Sequence, residues 1–247
     1  MESSRKVLIF ETGEEIANFM VEQWRELSRN AIESRGCFTA ALSGGETPVL
    51  FYRRLAAEGA RLQWDRTHLF FADERFVPSD SADSNYRLLN ETLLKNIPIP
   101  TGNIHAVATG ETDPLSSARK YEEEIKKSFM LPGEGIPEFD LVMLGMGADG
   151  HTASLFPGDA ALHDTLHLAS AVALDEKRHD RITLTLPVIN KARMIVFLVS
   201  GKTKASVFRD VVERKDRRLP ASLVAAEKGY LLFIADAEAA QYLSERG

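Results

Sequence analysis

Short apolar runs alternate with amphipathic stretches along most of the chain. Val7 to Phe10, Cys37 to Leu42, Thr67 to Ala72, Phe139 to Leu144, Leu166 to Val172, Arg181 to Thr185, Met194 to Val199 and Tyr230 to Ala235 read as strands. Between the first two, Ile16, Phe19, Met20, Leu27 and Ala31 recur at helical spacing. The capping box Thr12-Gly-Glu-Glu15 opens that helix and Gly36 stops it. Thr47 as N-cap and Pro48 as first helical residue predict a second helix. Further helices are expected from Ser84 to about Leu94, from Asp113-Pro114 through Lys127 with an exposed polar face, from Ser200 to near Arg214, and over 237–243. Thr101 to Ala108 is weakly patterned. Strands alternating with helices predict an α/β fold, a Rossmann-like and mainly parallel sheet with helices on both faces. Several strands crowd into roughly 165–200, which predicts a small additional mixed β element. With no internal repeat or low-complexity linker, one domain over 1–247 is expected.

Composition narrows the classes. A chain of 247 residues, 44% of them hydrophobic, can bury a sizeable core. A net charge of -6, with no basic or basic-aromatic tract, argues against nucleic acid as a partner. No apolar segment is long enough to span a bilayer, and Met-Glu-Ser-Ser-Arg-Lys is no signal peptide, so a cytoplasmic protein with no membrane partner is expected. A monomer or weak homo-oligomer is expected. The single Cys37 excludes an internal disulfide and, lying in an apolar run, reads as a buried inert thiol. His163 and His167 stand four apart, but with no predicted helix and no third ligand they make no metal site. His68, His105 and His179 read as structural or surface residues.

Three stretches carry chemistry. Ser43-Gly-Gly-Glu-Thr-Pro48 joins a strand to a helix through two glycines. Backbone amides of such a turn, with the helix N-terminus, make an anion site, although a tight turn without ligand fits the same pattern. Asp73-Glu-Arg-Phe-Val-Pro78 puts three charges at the carboxyl end of a strand, where α/β sheets bind ligands. A solvated loop accounts for it equally well. The third, Leu144 to Pro157, sets three glycines, Asp149 and His151 within a few residues of a strand end. An Asp and a His held on such a turn can do proton chemistry near neutral pH. Gly145-Met-Gly-Ala-Asp-Gly150 matches the dinucleotide fingerprint in form. Its place past the chain midpoint, and a carboxylate where the pyrophosphate would lie, exclude that reading.

Together the three motifs resemble those of the 6-phosphogluconolactonases, and the resemblance runs from about residue 7 to 240. The wider relatives include glucosamine-6-phosphate deaminase, which shares the fold and the Asp-Gly-His core. The resemblance implies hydrolysis of 6-phospho-D-glucono-1,5-lactone to 6-phospho-D-gluconate, the second step of the oxidative pentose phosphate pathway, without metal or cofactor. It implies that His151 deprotonates the attacking water and then protonates the leaving ring oxygen, with Asp149 orienting it or binding substrate hydroxyls. Arg75 is implied to orient the substrate or stabilise the oxyanion. Ser43, Gly44, Gly45, Thr47, Asp73 and Gly147 are expected to bind substrate, and Arg181 and Lys202 to bind its phosphate. Two departures stand out. Position 46, often Ser in the lactonases, is Glu46, which must point away from any phosphate held in this turn. Phe156 occupies the place of a carboxylate that assists the deaminase histidine, which favours the lactonase. The rival readings are an isomerase or deaminase using Asp73 as carbon-acid base, a serine hydrolase on Ser43, and a non-catalytic sugar-phosphate sensor. The serine hydrolase lacks the G-x-S-x-G elbow, since Leu42 precedes Ser43.

Overall fold

A computed structural model describes residues 4–174 and 178–244. Seven strands form one all-parallel sheet in the order β1 (Ser4–Phe10), β10 (Tyr230–Asp236), β9 (Met194–Val199), β6 (Leu141–Leu144), β2 (Phe38–Leu42), β3 (Thr67–Phe71) and β5 (Ile104–His105). Every residue of β6 is buried, as are five of the six in β9. Side chains alternate between faces along a strand, so unbroken burial means that both faces are covered. Three strands build a separate antiparallel sheet, β4 (Asp73–Arg75), β8 (Arg181–Leu184) and β7 (Ala169–Val172). This is the expected small element, with one strand drawn from far upstream.

The helices are α1 (Gly13–Arg35), α2 (Val49–Ala57), α3 (Asn85–Thr92), α4 (Pro114–Ser128), α5 (Leu186–Lys191) and α6 (Ala205–Arg209). The Thr12 capping box opens α1, and Gly36, in the left-handed region at φ 86°, closes it. Trp24 of α1 is fully buried and meets Phe38 at 5.0 Å between ring centroids, edge to face, tying the helix to β2. α4 is not merely an exposed face. Tyr121 is buried, donates its hydroxyl to the Phe71 carbonyl and accepts the Phe71 amide, each at 2.8 Å.

Several expected boundaries move. Thr47 does not cap α2; Pro48 stands at the N-cap and no side chain bonds the first turn. α3 stops at Thr92 instead of reaching Leu94, and a short 3-10 turn follows. Within the weakly patterned 101–108, a 3-10 turn leads into the two-residue β5. The helix expected from Ser200 begins as a 3-10 turn, becomes α6, and widens into a π turn over Asp210–Arg214. No helix forms over 237–243. Asp236 accepts the Ala239 amide at 2.7 Å while its carboxylate also binds Gly201, so the chain turns back at the strand end. Ala239, Ala240 and Leu243 are buried through turns, which satisfy the same apolar spacing. α5 begins with Pro187 near its N-terminus and is too short for periodicity to reveal. Cys37 is partly buried, and burial pushes its thiol up, as an inert thiol requires.

From the adjacent pair β2 and β6 the chain winds outward in opposite directions, to β3 and β5 on one side and to β9 and β10 on the other. Loops leaving the carboxyl ends of such a pair diverge and open a crevice. The two glycine turns, 43–48 and 144–157, leave from these two ends.

Candidate active site

A cleft of about 410 Å³ lies at this switch point. Ser43, Gly44, Gly45 and Thr47 line it from the first turn, and Gly147, Asp149 and His151 from the second. Asp73, Arg75 and Arg181 line it from the antiparallel sheet. Ten of the eleven expected residues therefore meet in one place. Lys202 does not: its side chain is exposed and the cleft is lined instead by Lys204. Gly201, at φ 93°, starts a 3-10 turn over Lys202–Lys204 that turns the first lysine outward and the second inward.

The second turn holds an Asp–His pair. Gly147 N–H donates to the His151 carbonyl at 2.9 Å and Gly150 N–H to the Gly147 carbonyl at 3.0 Å, so the chain doubles back on itself. Asp149 Oδ1 accepts from the His151 amide at 3.1 Å and lies 2.6 Å from Nδ1 of the His151 ring. Burial pushes the Asp149 carboxyl up, but the bond from the His151 amide and the charge of the ring outweigh it, and the carboxyl sits below its ordinary value. A carboxylate only accepts, so Nδ1 carries the ring proton and Nε2 keeps its lone pair. Phe156 packs on the imidazole at 4.6 Å between centroids. A Cβ at Gly147 would overlap the His151 ring, so the turn closes only over a glycine. Behind the turn, the Ala221 amide donates to the Gly150 carbonyl at 3.0 Å, and Leu219 packs against Gly150. Nothing in the sequence pointed to this support, which comes from seventy residues downstream.

The first turn is built differently. The Ser43 hydroxyl donates to the Met143 carbonyl at 2.6 Å, joining β2 to β6. That bond turns the hydroxyl proton toward a carbonyl and away from any base, which argues against the serine-hydrolase reading. The amides of Gly45, Glu46 and Thr47 donate to no group among the described residues. Asn85, buried at the start of α3, supports this turn so closely that a Cβ on Gly44 would overlap its carboxamide. Asn85 Nδ2 also donates to the Asp73 carbonyl at 2.9 Å, and its Oδ1 is buried with no hydrogen-bond partner among the described residues.

Asp73 and Glu74 settle the open question about their stretch, for they form a buried strand rather than a solvated loop. Asp73 Oδ2 accepts the Ser154 hydroxyl at 2.6 Å, pinning the far end of the second turn. The Glu74 carboxylate accepts the amides of Asn85 and Tyr86, each at 2.7 Å, and so caps α3 from another element. Burial raises the Glu74 carboxyl, partly opposed by those amides and by that of Arg75.

Arg75 and Arg181 face each other across the β4–β8 ladder. Neither makes an ion pair among the described residues; Arg75 Nη1 bonds the Asp83 carbonyl at 2.5 Å and Arg181 Nη2 the Arg178 carbonyl at 2.8 Å. The preceding Asp180 is engaged elsewhere, its carboxylate accepting the Leu174 amide at 2.9 Å. Burial, then the neighbouring Arg75, lower the Arg181 guanidinium. The Lys204 ammonium likewise makes no hydrogen bond or ion pair among the described residues. Burial pulls its ammonium down, partly opposed by Asp236 and Glu46. Side-by-side guanidiniums and a half-buried ammonium, none directly paired, form a site for an anion.

The fold and cleft define a doubly wound α/β protein that sets a histidine–aspartate pair beside an anion site. Residues 11–233 match the model of the family described as glucosamine-6-phosphate isomerases/6-phosphogluconolactonase, and the chain belongs to that family. It is 41% identical over 217 residues to the 6-phosphogluconolactonase of Nostoc sp., covering 87% of this chain and 88% of that one. It is 39% identical over 215 residues to the Synechocystis sp. 6-phosphogluconolactonase, covering 86% of this chain and 88% of that one. The solved 6-phosphogluconolactonase of Thermotoga maritima superposes with a TM-score of 0.81 at 33% identity, over 94% of this chain and 100% of that one.

Proposed function

We propose that this chain hydrolyses 6-phospho-D-glucono-1,5-lactone to 6-phospho-D-gluconate, the reaction its resemblance implies. One observation carries the reading: the Asp149–His151 pair and the unpaired cations Arg75, Arg181 and Lys204 line a single cleft. The cations and the open amides of Gly45 to Thr47 hold the phosphate. His151 Nε2 takes a proton from water as the water oxygen bonds the lactone carbonyl carbon. The carbonyl π pair moves onto oxygen, and Arg75 stands nearest in chemistry to that developing charge. Collapse of the tetrahedral intermediate breaks the bond to the ring oxygen, which takes the proton back from His151. Asp149 keeps the ring oriented and stabilises its cationic form. General base catalysis of this kind supplies about 10²–10⁴ in rate, enough for an ester that is already activated. Phe156 packs on the histidine where a carboxylate-assisted deaminase would need a charge. Asp73, the base of the rival isomerase reading, is tied to Ser154.

The test is direct. Acid release from the fresh lactone is expected, with no ammonia release from glucosamine 6-phosphate. Lys204→Met should raise KM roughly 10- to 100-fold with little change in kcat, while Lys202→Met leaves both near wild type. Ammonia release at a comparable rate, or equal effects of the two lysine variants, would overturn the assignment.

A further inference from the structure

The first glycine turn carries a carboxylate, Glu46, into the wall of the cleft that Lys204 also lines. Glu46 lines the cleft on the same turn as the open amides, and its side chain is exposed. Glu46 thus belongs to the cleft wall, with its side chain in solvent beside it. Its carboxylate makes no hydrogen bond or ion pair among the described residues, so nothing in the fold requires a charge there. After Asp236, it is the second carboxylate near enough to Lys204 to support the charge of that ammonium, and it does not touch it. Such a pair, close and not joined, interacts with a dianion in opposite ways. Lys204 attracts it, and Glu46 repels it while neutralising part of the lysine charge beforehand.

We propose that Glu46 tunes affinity, weakening the hold on the substrate phosphate by adding to the counter-charge on Lys204. The proposal rests on the phosphate reading of this cleft. Its consequence is catalytic. The product keeps the phosphate and gains a carboxylate, so a cleft of unopposed cations would retain it. A carboxylate on an exposed turn lowers the affinity for substrate and product alike and lets the product leave.

The test is a double-mutant cycle between Glu46→Gln and Lys204→Met. KM for the lactone and the inhibition constant of inorganic phosphate are measured for each. Glu46→Gln alone should lower both roughly 3- to 10-fold at low salt, and the gain should shrink as salt screens it. In the Lys204→Met background the same change should do little. The melting temperature should not move, since the side chain has no partner to lose. A raised KM in Glu46→Gln would mean that Glu46 accepts a substrate hydroxyl, and an unchanged KM that it does not act on the anion; either overturns the proposal. A gain that persists in full without Lys204 also overturns it. If Lys204→Met itself leaves KM and phosphate inhibition unchanged, the phosphate reading fails, and that outcome is distinct from all of these.

Discussion

The cleft is made by two glycine turns that leave neighbouring strands of one sheet and do opposite things. After β2, the chain passes through Gly44-Gly45 and enters α2 within a few residues, leaving its amides open toward the cleft. After β6, a richer glycine run starts no helix. It folds back through the Gly147 and Gly150 bonds, with the His151 amide held by Asp149. The first turn can offer N–H groups to an anion because nothing internal uses them. The second uses three of its amides internally and brings side chains to the cleft, an imidazole held by a carboxylate. A glycine pattern after a strand therefore does not identify a phosphate cradle. What decides is whether a helix follows and leaves its first amides unmatched.

Each turn also has its own support. Asn85 stands under the first and is held in turn by Glu74. Leu219 and Ala221 stand behind the second. The contrast can be broken in three places, in falling order of effect. His151→Gln removes the base without touching the anion turn. The lactonase kcat should fall about 10²–10⁴-fold, with inhibition by inorganic phosphate unchanged. Spontaneous lactone opening must be subtracted, and a variant within a factor of a few of wild type would show that the second turn is not the catalytic one.

Gly150→Ala attacks the support of that turn. Gly150 has φ 80°, and a Cβ there would meet Leu219 Cδ2 at 2.8 Å. The backbone strain alone is about 1–3 kcal/mol, and the Asp149–His151 geometry should loosen, lowering kcat roughly tenfold. Leu219→Ala added to it should return part of the stability by removing the collision, but not the part due to φ. Equal melting temperatures for the single and double variants would show that Leu219 bears on nothing there.

The smallest effect sharpens the other support. Burial raises the Glu74 carboxyl above its ordinary value of 4.5, so the folded chain holds that proton more tightly than the unfolded chain. Its contribution to stability is therefore fully present below the unfolded value and is lost as pH rises through the folded value. Urea melts from roughly pH 4 to pH 7 should show the wild type losing stability relative to Glu74→Gln as pH increases. A relative gain over that window would mean that the amides of Asn85 and Tyr86 outweigh burial.

Much of the fold was legible because its signals are local. The parallel sheet follows from apolar runs alternating with capped helices, and α1 and α4 begin where Thr12 and Asp113 cap them. Asp149, Gly150 and His151 sit in one short segment, so their pairing needed no long-range information. What failed had non-local causes. The helix expected over 237–243 yields to Asp236, whose carboxylate is engaged by Gly201 of another segment. The charges of Asp73-Glu-Arg75 fitted a ligand-binding strand end and a solvated loop equally well until β8, more than a hundred residues on, paired with them. Asn85 is an ordinary helix-start residue by sequence, and only the approach of Gly44 gives it a place in the cleft.

By itself the sequence determined the layered α/β architecture, the two glycine turns and the pairing of Asp149 with His151, because periodicity, capping and turn chemistry act over a few residues. Only the tertiary structure decided which charges share the cleft. Lys202 and Lys204 are two residues apart with the same side chain, and a single positive-φ glycine sends one to solvent and the other to the anion site. Charge matters through distance and burial, and those are properties of the packed chain.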